Sequence, residues 1–124
     1  MKTEFTTFRV KRGMESVANE WMKTLQERRS ECVESLERER MHFEAIFRTE
    51  RDGRLYLSWF SVQGEGGAPV KGSPHEIDQL HVEFWLKCIE KEFAPEHLEH
   101  VVSFLPPEVD AVVRNRDSRQ GFGE

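Results

Sequence analysis

His81 is the side chain whose type and position best fit chemistry. It lies four residues after Ile77 and three before Phe84, so at about 100° per residue it falls on the apolar stripe of a predicted helix. A histidine in such a place must be hydrogen-bonded or serve a ligand. Two interpretations stand: a core histidine satisfied by protein groups, and a general base or ligand-orienting group between helix and sheet.

Asp78 lies three residues before His81 and can share a hydrogen bond that fixes the tautomer of the ring. Together with His75 the two residues form an H-x-x-D-x-x-H string. Steps of three in a helix place the two histidines about 120° apart on either side of Asp78, so they do not converge on one ion. We therefore expect no metal here and keep Asp78 as a ligand-binding candidate.

Two adjacent arginines, Arg28 and Arg29, flank the apolar stripe of the first predicted helix. Either one, turned inward, would bind a carboxylate or phosphate through a bidentate contact. The alternative is an arginine whose stem covers the core while its head stays in water. Tyr56 and Ser58, on a predicted strand, complete the candidate pocket around His81. Nucleotide, phosphate-loop, zinc and nucleophile-elbow motifs are absent from the sequence, so we expect no cofactor.

The elements that must position these residues follow from the hydrophobic pattern. It predicts strands over residues 4–12, 41–49, 55–62 and 98–105, with helices over residues 14–39 and 73–92 and a short turn of helix over 108–114. Ser73, Pro74 and Glu76 have the spacing of a capping box at the start of the second helix. The order βαββαβ predicts an α+β, ferredoxin-like fold with two helices on one face of an antiparallel sheet.

The Asp52-Gly53 turn sets the pairing of the two middle strands, because both turn residues favour positive φ. With Arg51 opposite Arg54, the predicted pairs are Phe47 with Ser58, Ala45 with Phe60 and Phe43 with Val62. We expect this aromatic and small set to face the helices. The opposite face would then expose Ile46, Leu57 and Trp59, together with Glu44 and Arg48.

That much exposed apolar surface predicts a homodimer, since pairing two such sheets about a two-fold axis would bury it. Glu44 would then pair with a partner such as Arg48 of the other subunit. The interface candidates are thus Glu44, Ile46, Arg48, Leu57 and Trp59. The alternative is a monomer whose C-terminal segment covers this face.

Length and charge limit the remaining possibilities. The chain has 124 residues, with 18 Lys plus Arg and 23 Asp plus Glu, giving a net charge of −5. We expect one domain over residues 1–116 and a flexible tail over 117–124. The acidic balance argues against nucleic acid, and no apolar run approaches the roughly 20 residues of a membrane helix. With no signal-peptide pattern and two separated cysteines, Cys32 and Cys88, we expect a cytoplasmic protein with reduced thiols.

Several short segments carry a resemblance to a known family: Val10-Lys11-Arg12-Gly13, Trp21, Arg28-Arg29, Leu36, Phe43-Glu44-Ala45-Ile46-Phe47, Tyr56-Leu57 and above all His75-Glu76-Ile77-Asp78-Gln79-Leu80-His81. Over residues 5–105 the chain resembles a family of small bacterial proteins of unknown function. That family looks related to the dimeric α/β-barrel superfamily, which includes antibiotic-biosynthesis-monooxygenase-like and NIPSNAP-like proteins. The resemblance implies a ferredoxin-like dimer with a small-molecule cavity between helices and sheet, and it implies no particular reaction.

The functional expectation is therefore a dimeric α/β-barrel protein of unknown function that binds a small organic molecule. One alternative is a cofactor-independent enzyme of the monooxygenase or isomerase kind, although the Asn and Trp pairing of such monooxygenases is not recognisable in this sequence. The other alternative is a non-catalytic dimeric interaction module. A cavity beside His81 favours binding, whereas a filled core favours the module.

Overall fold

The computed structural model describes residues 1–118 of the chain. Its elements in chain order are β1 (Lys2–Arg9), α1 (Glu15–Glu27), α2 (Arg29–Arg38), β2 (Met41–Arg51), β3 (Arg54–Gln63), α3 (Glu76–Cys88), β4 (Glu96–His97) and α4 (Pro107–Ser118). The four strands form one sheet in the order β2-β3-β1-β4. Every neighbouring pair is antiparallel, so the protein is an α+β fold built on a four-stranded antiparallel sheet.

The hairpin between β2 and β3 has the predicted register. Asp52 and Gly53 both adopt positive φ, 53° and 72°, as a two-residue turn of this type requires. Arg51 lies opposite Arg54, and the three predicted cross-strand pairs are confirmed, namely Phe43 with Val62, Ala45 with Phe60 and Phe47 with Ser58.

The assignment of the two sheet faces is wrong, because the helices cover the face that carries Leu57. Leu57 is fully buried in one cluster with Val10, Ala18 and Trp21. Phe8 of β1 pairs with Leu57, which places the inner residues of β1 and β3 on the same side. Both sheet faces are apolar, so aromatic content did not identify the inner one. Phe8 at the end of β1 and Val10 just after it decide it, since they pack with Leu57, whereas Phe5 shares the other face with Phe60.

The outer face is left open and carries four phenylalanines. The ring of Phe5 lies 6.0 Å from that of Phe47 and 5.8 Å from that of Phe60, and Phe43 lies 5.9 Å from Phe60. Phe43 and Phe47 are half exposed. We call these four residues the phenylalanine patch.

The long helix predicted over residues 14–39 is divided in two. Arg28 leaves helical geometry with φ −103° and ψ 38°, ending α1 and preceding α2. The break lets α2 change direction, so that it packs against both β2 and α3. The apolar residues before and after Arg28 keep the spacing of one unbroken helix. The sequence pattern therefore did not indicate the break.

The second long helix begins later than its capping signal indicates. It starts at Glu76, and His75 rather than Ser73 occupies its N-cap position. The hydroxyl of Ser73 accepts a hydrogen bond from the backbone N–H of His75 and donates one to Asp78, at 3.1 and 2.7 Å. The predicted capping box therefore does not form, because Ser73 lies two residues before the N-cap and the Glu76 carboxylate pairs with Arg28.

The last predicted strand, residues 98–105, is also wrong. The strand β4 is only Glu96–His97, which pairs with Thr6 and Thr7 at the edge of the sheet. Residues 98–106 then continue with no assigned helix or strand, exposed to solvent, before α4. The helix α4 includes residues 117 and 118, the first two of the predicted tail; residues 119–124 lie outside the described part of the chain. Within residues 1–118 no helix has the length and apolar character needed to cross a membrane.

Candidate functional site

A cleft of about 700 Å³ opens between the inner face of the sheet and the helices α1 and α2. Its walls are about equally polar and apolar, and its polar side chains are Gln26, Arg29, Glu44 and Arg48. The apolar lining consists of Met22, Leu25, Cys32, Val33, Leu36, Ile46 and Leu57, together with Phe47 of β2, although the ring of Phe47 packs with Phe5 on the outer face. Its volume and its mixed lining lie in the range of small-molecule sites.

A narrower recess of about 50 Å³ leads from this cleft toward α3. The two share Leu25, Cys32 and Glu44 in their linings, so they are adjacent. The recess ends on Ser35 and Glu39 of the α2 region and on Ile77, Asp78 and His81 of α3. Glu44 therefore lies where the wide cleft meets the recess that His81 borders.

Aromatic side chains surround the ring of His81. Its Nδ1 accepts a hydrogen bond from the indole N–H of Trp21 at 3.2 Å, and its ring centroid lies 5.3 Å from that of Trp21 and 6.1 Å from that of Trp59. Because Nδ1 is an acceptor, a neutral ring carries its proton on Nε2. Burial lowers the pKa of His81, against the opposing effect of the Asp78 carboxylate, so the neutral ring is favoured.

Asp78 has a different role from the expected one. Its buried carboxylate accepts hydrogen bonds from Ser35, Ser73 and Arg38 at 3.1, 2.7 and 3.1 Å. Burial acts to raise the pKa of Asp78, but these hydrogen bonds and the Arg38 charge outweigh it and lower the pKa. Asp78 thus ties α2 to α3 and to the loop before α3, and Trp21 rather than Asp78 fixes the tautomer of His81.

Glu44 is the residue whose significance the sequence reasoning missed. It was expected at a dimer interface, yet it lies on the inner face, with its side chain open to the cleft. Desolvation, together with the nearby Glu39 carboxylate, raises the pKa of Glu44 to about 7. A carboxyl that titrates near neutral pH has the property required of a general acid or base.

The two arginines separate. Arg28, at the break between the helices, donates to both Glu31 and Glu76 at 2.6 Å and so clamps α2 to the start of α3. Arg29 lines the wide cleft, and within residues 1–118 no acidic side chain forms an ion pair with it. The sequence left open which of the pair turns inward, and it is Arg29 that reaches the cleft.

Tyr56 and Ser58 lie on the opposite face of the sheet from His81, so they do not line the same pocket. The hydroxyl of Ser58 is hydrogen-bonded to that of Thr7 at 2.7 Å. Tyr56 is buried beneath Arg51, whose guanidinium lies 4.3 Å from the ring centroid, and beside Phe93. Placing them with His81 followed from the reversed sheet faces.

The five expected interface residues occupy the inner side instead. Glu44, Ile46, Arg48 and Leu57 line the cleft, and Trp59 packs on the core cluster beside Trp85. The alternation Glu44-Ile46-Arg48 did place them together on one face, as expected. Their assignment changes because that face points toward the helices and not toward a partner subunit.

Comparison with known proteins identifies a family. Residues 1–111 match the family of unknown function designated DUF6176. Neither the curated proteins nor the solved structures contain a match to the chain. Since the matching region spans most of the 124 residues, the protein is a member of the DUF6176 family.

Proposed function

We propose that this protein binds a small organic acid in the cleft between α1, α2 and the sheet, and that it acts as a homodimer. The observation that carries the proposal is the cleft itself, which has about the size of a ligand and joins apolar side chains with two arginines and one protonatable carboxyl. An apolar body with one anionic group is the chemistry that such a lining would recognise.

The charges in the cleft favour an anion. Arg29 forms no ion pair within residues 1–118, and Arg48 donates only to the neutral amide oxygen of Asn19 at 2.6 Å. Glu44, with its pKa raised to about 7, carries only part of its negative charge at neutral pH. Two cationic groups therefore face the cleft with less than one compensating charge, which supports binding of a carboxylate or phosphate monoanion.

The architecture supports the rest of the proposal. The strand order β2-β3-β1-β4, with every neighbour antiparallel and the helices α1, α2 and α3 packed on one side, is compatible with a ferredoxin-like arrangement. In the dimeric α/β-barrel superfamily that the sequence resembles, two such sheets join. Association of two subunits through this side of the sheet would bury the open phenylalanine patch. We also infer a cytoplasmic location, since the chain has free thiols.

The binding proposal is tested by thermal shift with aliphatic and aromatic carboxylic acids of about six to ten carbons. Their primary amides serve as neutral probes of the same shape. We expect acids, and not amides, to raise the melting temperature. The variant Arg29→Gln is expected to weaken binding by about 10- to 100-fold, because a charge-assisted hydrogen bond contributes ~1.5–3 kcal/mol.

The matched control is Arg12→Gln, which removes an exposed arginine that does not line the cleft. It should bind as the wild type does. If no acid stabilises the wild-type protein, or if both variants lose the same affinity, the cleft is not an anion-binding site. The protein would then be better described as a dimeric interaction module.

A proton-transfer enzyme is a second candidate, and the Glu44–His81 recess favours it. A carboxylate with a pKa near 7 can accept a proton from the carbon next to the ketone group of a 2-oxo acid, and the Nε2–H of His81 can stabilise the enolate oxygen that forms. The test is ¹H NMR of a bound acid in D₂O. Exchange of the C–H beside the ketone of a bound 2-oxo acid that Glu44→Gln abolishes, with binding retained, would support the enzyme; unchanged C–H signals would exclude this reaction for that ligand.

A further inference from the structure

The segment from residue 98 to residue 112 is the most exposed apolar part of the described chain. Val101 and Phe104 are 82% and 86% exposed, and Val102, Val109 and Val112 each exceed 40%. Isolated exposed apolar residues are ordinary in proteins, but a run of them in one segment marks a contact surface. We call residues 98–112 the C-terminal arm.

Within the described residues, the extended part of the arm lacks backbone hydrogen bonds as well as side-chain contacts that would bury it. Leu98 donates to the carbonyl of Phe5 at 2.9 Å, and the next backbone hydrogen bond runs from Asp110 to Pro106. Between them, residues 99–105 make no backbone hydrogen bond to the rest of residues 1–118. The valines and phenylalanine of this stretch favour extended structure, so the arm has the composition of a strand without a neighbouring strand.

Both ends of the arm are fixed at opposite borders of the phenylalanine patch. The N-terminal end is held at Phe5 by Leu98. Beyond the C-terminal end of the arm, the last part of α4 is held beside Phe43: the guanidinium of Arg116 donates to the carbonyl of Met41 at 3.1 Å, and Asp117 contacts Nε2 of His42 at 2.8 Å. The eight residues 99–106 can extend up to ~26–29 Å, so with both ends held their middle can stand up to ~13–14 Å from either end.

We infer that the C-terminal arm docks on the phenylalanine patch of a second copy of this chain, and that each subunit clasps the other in this way. Within one chain the patch and the arm are neighbours, but they leave each other exposed. In a two-fold pair each arm would start at the edge of one patch and cover the other. The patch interior suits this contact, because its polar groups Thr7 and Ser58 already satisfy each other.

This inference rests on the proposed homodimer and specifies what holds it together. Sedimentation of the wild-type chain at micromolar concentration should give twice the 14.6 kDa mass of one chain. The variant Val101→Ser/Phe104→Ser should raise the dimer dissociation constant by about 100-fold or more, as loss of two buried apolar anchors would. Both residues are exposed within one subunit, so this variant should keep the far-UV circular dichroism of the wild type.

The matched control is Leu86→Ser, which changes an equally apolar, exposed residue of α3 away from the arm and the patch. It should leave the dissociation constant unchanged. A wild-type dimer that the arm variant does not weaken would overturn the arm inference and leave the dimer proposal standing. A wild-type monomer at every concentration would overturn both.

A covalent trap tests where the arm lands. One preparation carries Phe104→Cys and the other Phe47→Cys, both in a Cys32→Ser background, and the two are mixed and mildly oxidised. We expect a disulfide-linked product that contains one chain of each kind, identified by mass spectrometry. If the chains dimerise but this product does not form, the arm lies elsewhere and the docking site is wrong.

Discussion

The indole N–H of Trp21 donates to Nδ1 of His81 across the interface of α1 and α3. Trp21 is fully buried and His81 borders the recess, so one hydrogen bond joins the core to the candidate site. It satisfies the single donor of the indole, and it leaves the Nε2–H of the neutral ring free to face a ligand. The two interpretations of His81 therefore apply to its two nitrogens. Nδ1 is satisfied by Trp21 of the core, and Nε2 is available to a ligand in the recess.

Replacing His81 should affect stability according to whether the new side chain can accept a hydrogen bond. His81→Phe leaves the buried indole N–H unpaired and should lower the free energy of unfolding by about 1–3 kcal/mol. His81→Gln offers an amide oxygen and should lose less. Urea unfolding at neutral pH measures both. Equal losses would mean that the hydrogen bond contributes little to stability.

Acidification should destabilise the protein partly through His81. Its folded pKa lies below the ordinary value of 6.5, so the unfolded chain binds the proton more readily. Stability is therefore highest above pH 6.5 and falls as the pH drops from there toward the lowered folded pKa. In His81→Gln this part of the decline should disappear. An identical pH profile for wild type and variant between pH 7 and 5 would contradict the assignment.

The contribution of Glu44 to stability should depend on pH with the opposite sign to that of His81. Its folded pKa of about 7 exceeds the ordinary 4.5, so the folded state holds the proton and loses stability as the pH rises between these values. Glu44→Gln should therefore be more stable than the wild type at pH 8 by about 1 kcal/mol, a figure reduced because the carboxyl is open to the cleft. At pH 4 the two should match. Denaturant unfolding at both pH values checks this, and a Glu44→Gln variant that is less stable at pH 8 would contradict it.

Asp78 should be far more sensitive to substitution than an exposed aspartate. Asp78→Asn removes the charge that Arg38 pairs with and turns an amide N–H₂ toward donors, which should cost about 2–4 kcal/mol. The control Asp110→Asn breaks an exposed helical pair with Arg114 and should cost no more than about 0.5 kcal/mol. Thermal or urea unfolding compares them. Similar losses at the two positions would show that Asp78 does not join α2 and α3 as described.

The two faces of the sheet should respond differently to truncation. Leu57→Ala creates a cavity in the core and should cost about 2–5 kcal/mol of stability. Phe47→Ala removes a half-exposed ring of the patch, so it should change the stability of one subunit much less while weakening association. Unfolding and sedimentation on both variants separate the effects. A Phe47→Ala variant that loses as much subunit stability as Leu57→Ala would restore the original assignment of the faces.

Local patterns predicted much of the scaffold. The positive φ that Asp52 and Gly53 accept fixed the turn, and the turn fixed the register of β2 and β3 residue by residue. Periodicity located both long helical regions, because burial of one stripe repeats every three or four residues whatever the stripe contacts. His81 was placed correctly on the inner stripe of α3 for the same reason.

Only the tertiary structure decided which face of the sheet is inside. Alternation specifies that Glu44, Ile46 and Arg48 share a side, but when both sides are apolar it does not say which one the helices cover. The packing of Phe8 and Val10 with Leu57 beneath Trp21 settles that choice. It turned four expected interface residues into the lining of a cleft, and it left the four phenylalanines of the patch outside. Side-chain order along a strand is a local property of the backbone, whereas the direction of burial depends on contacts between elements distant in sequence.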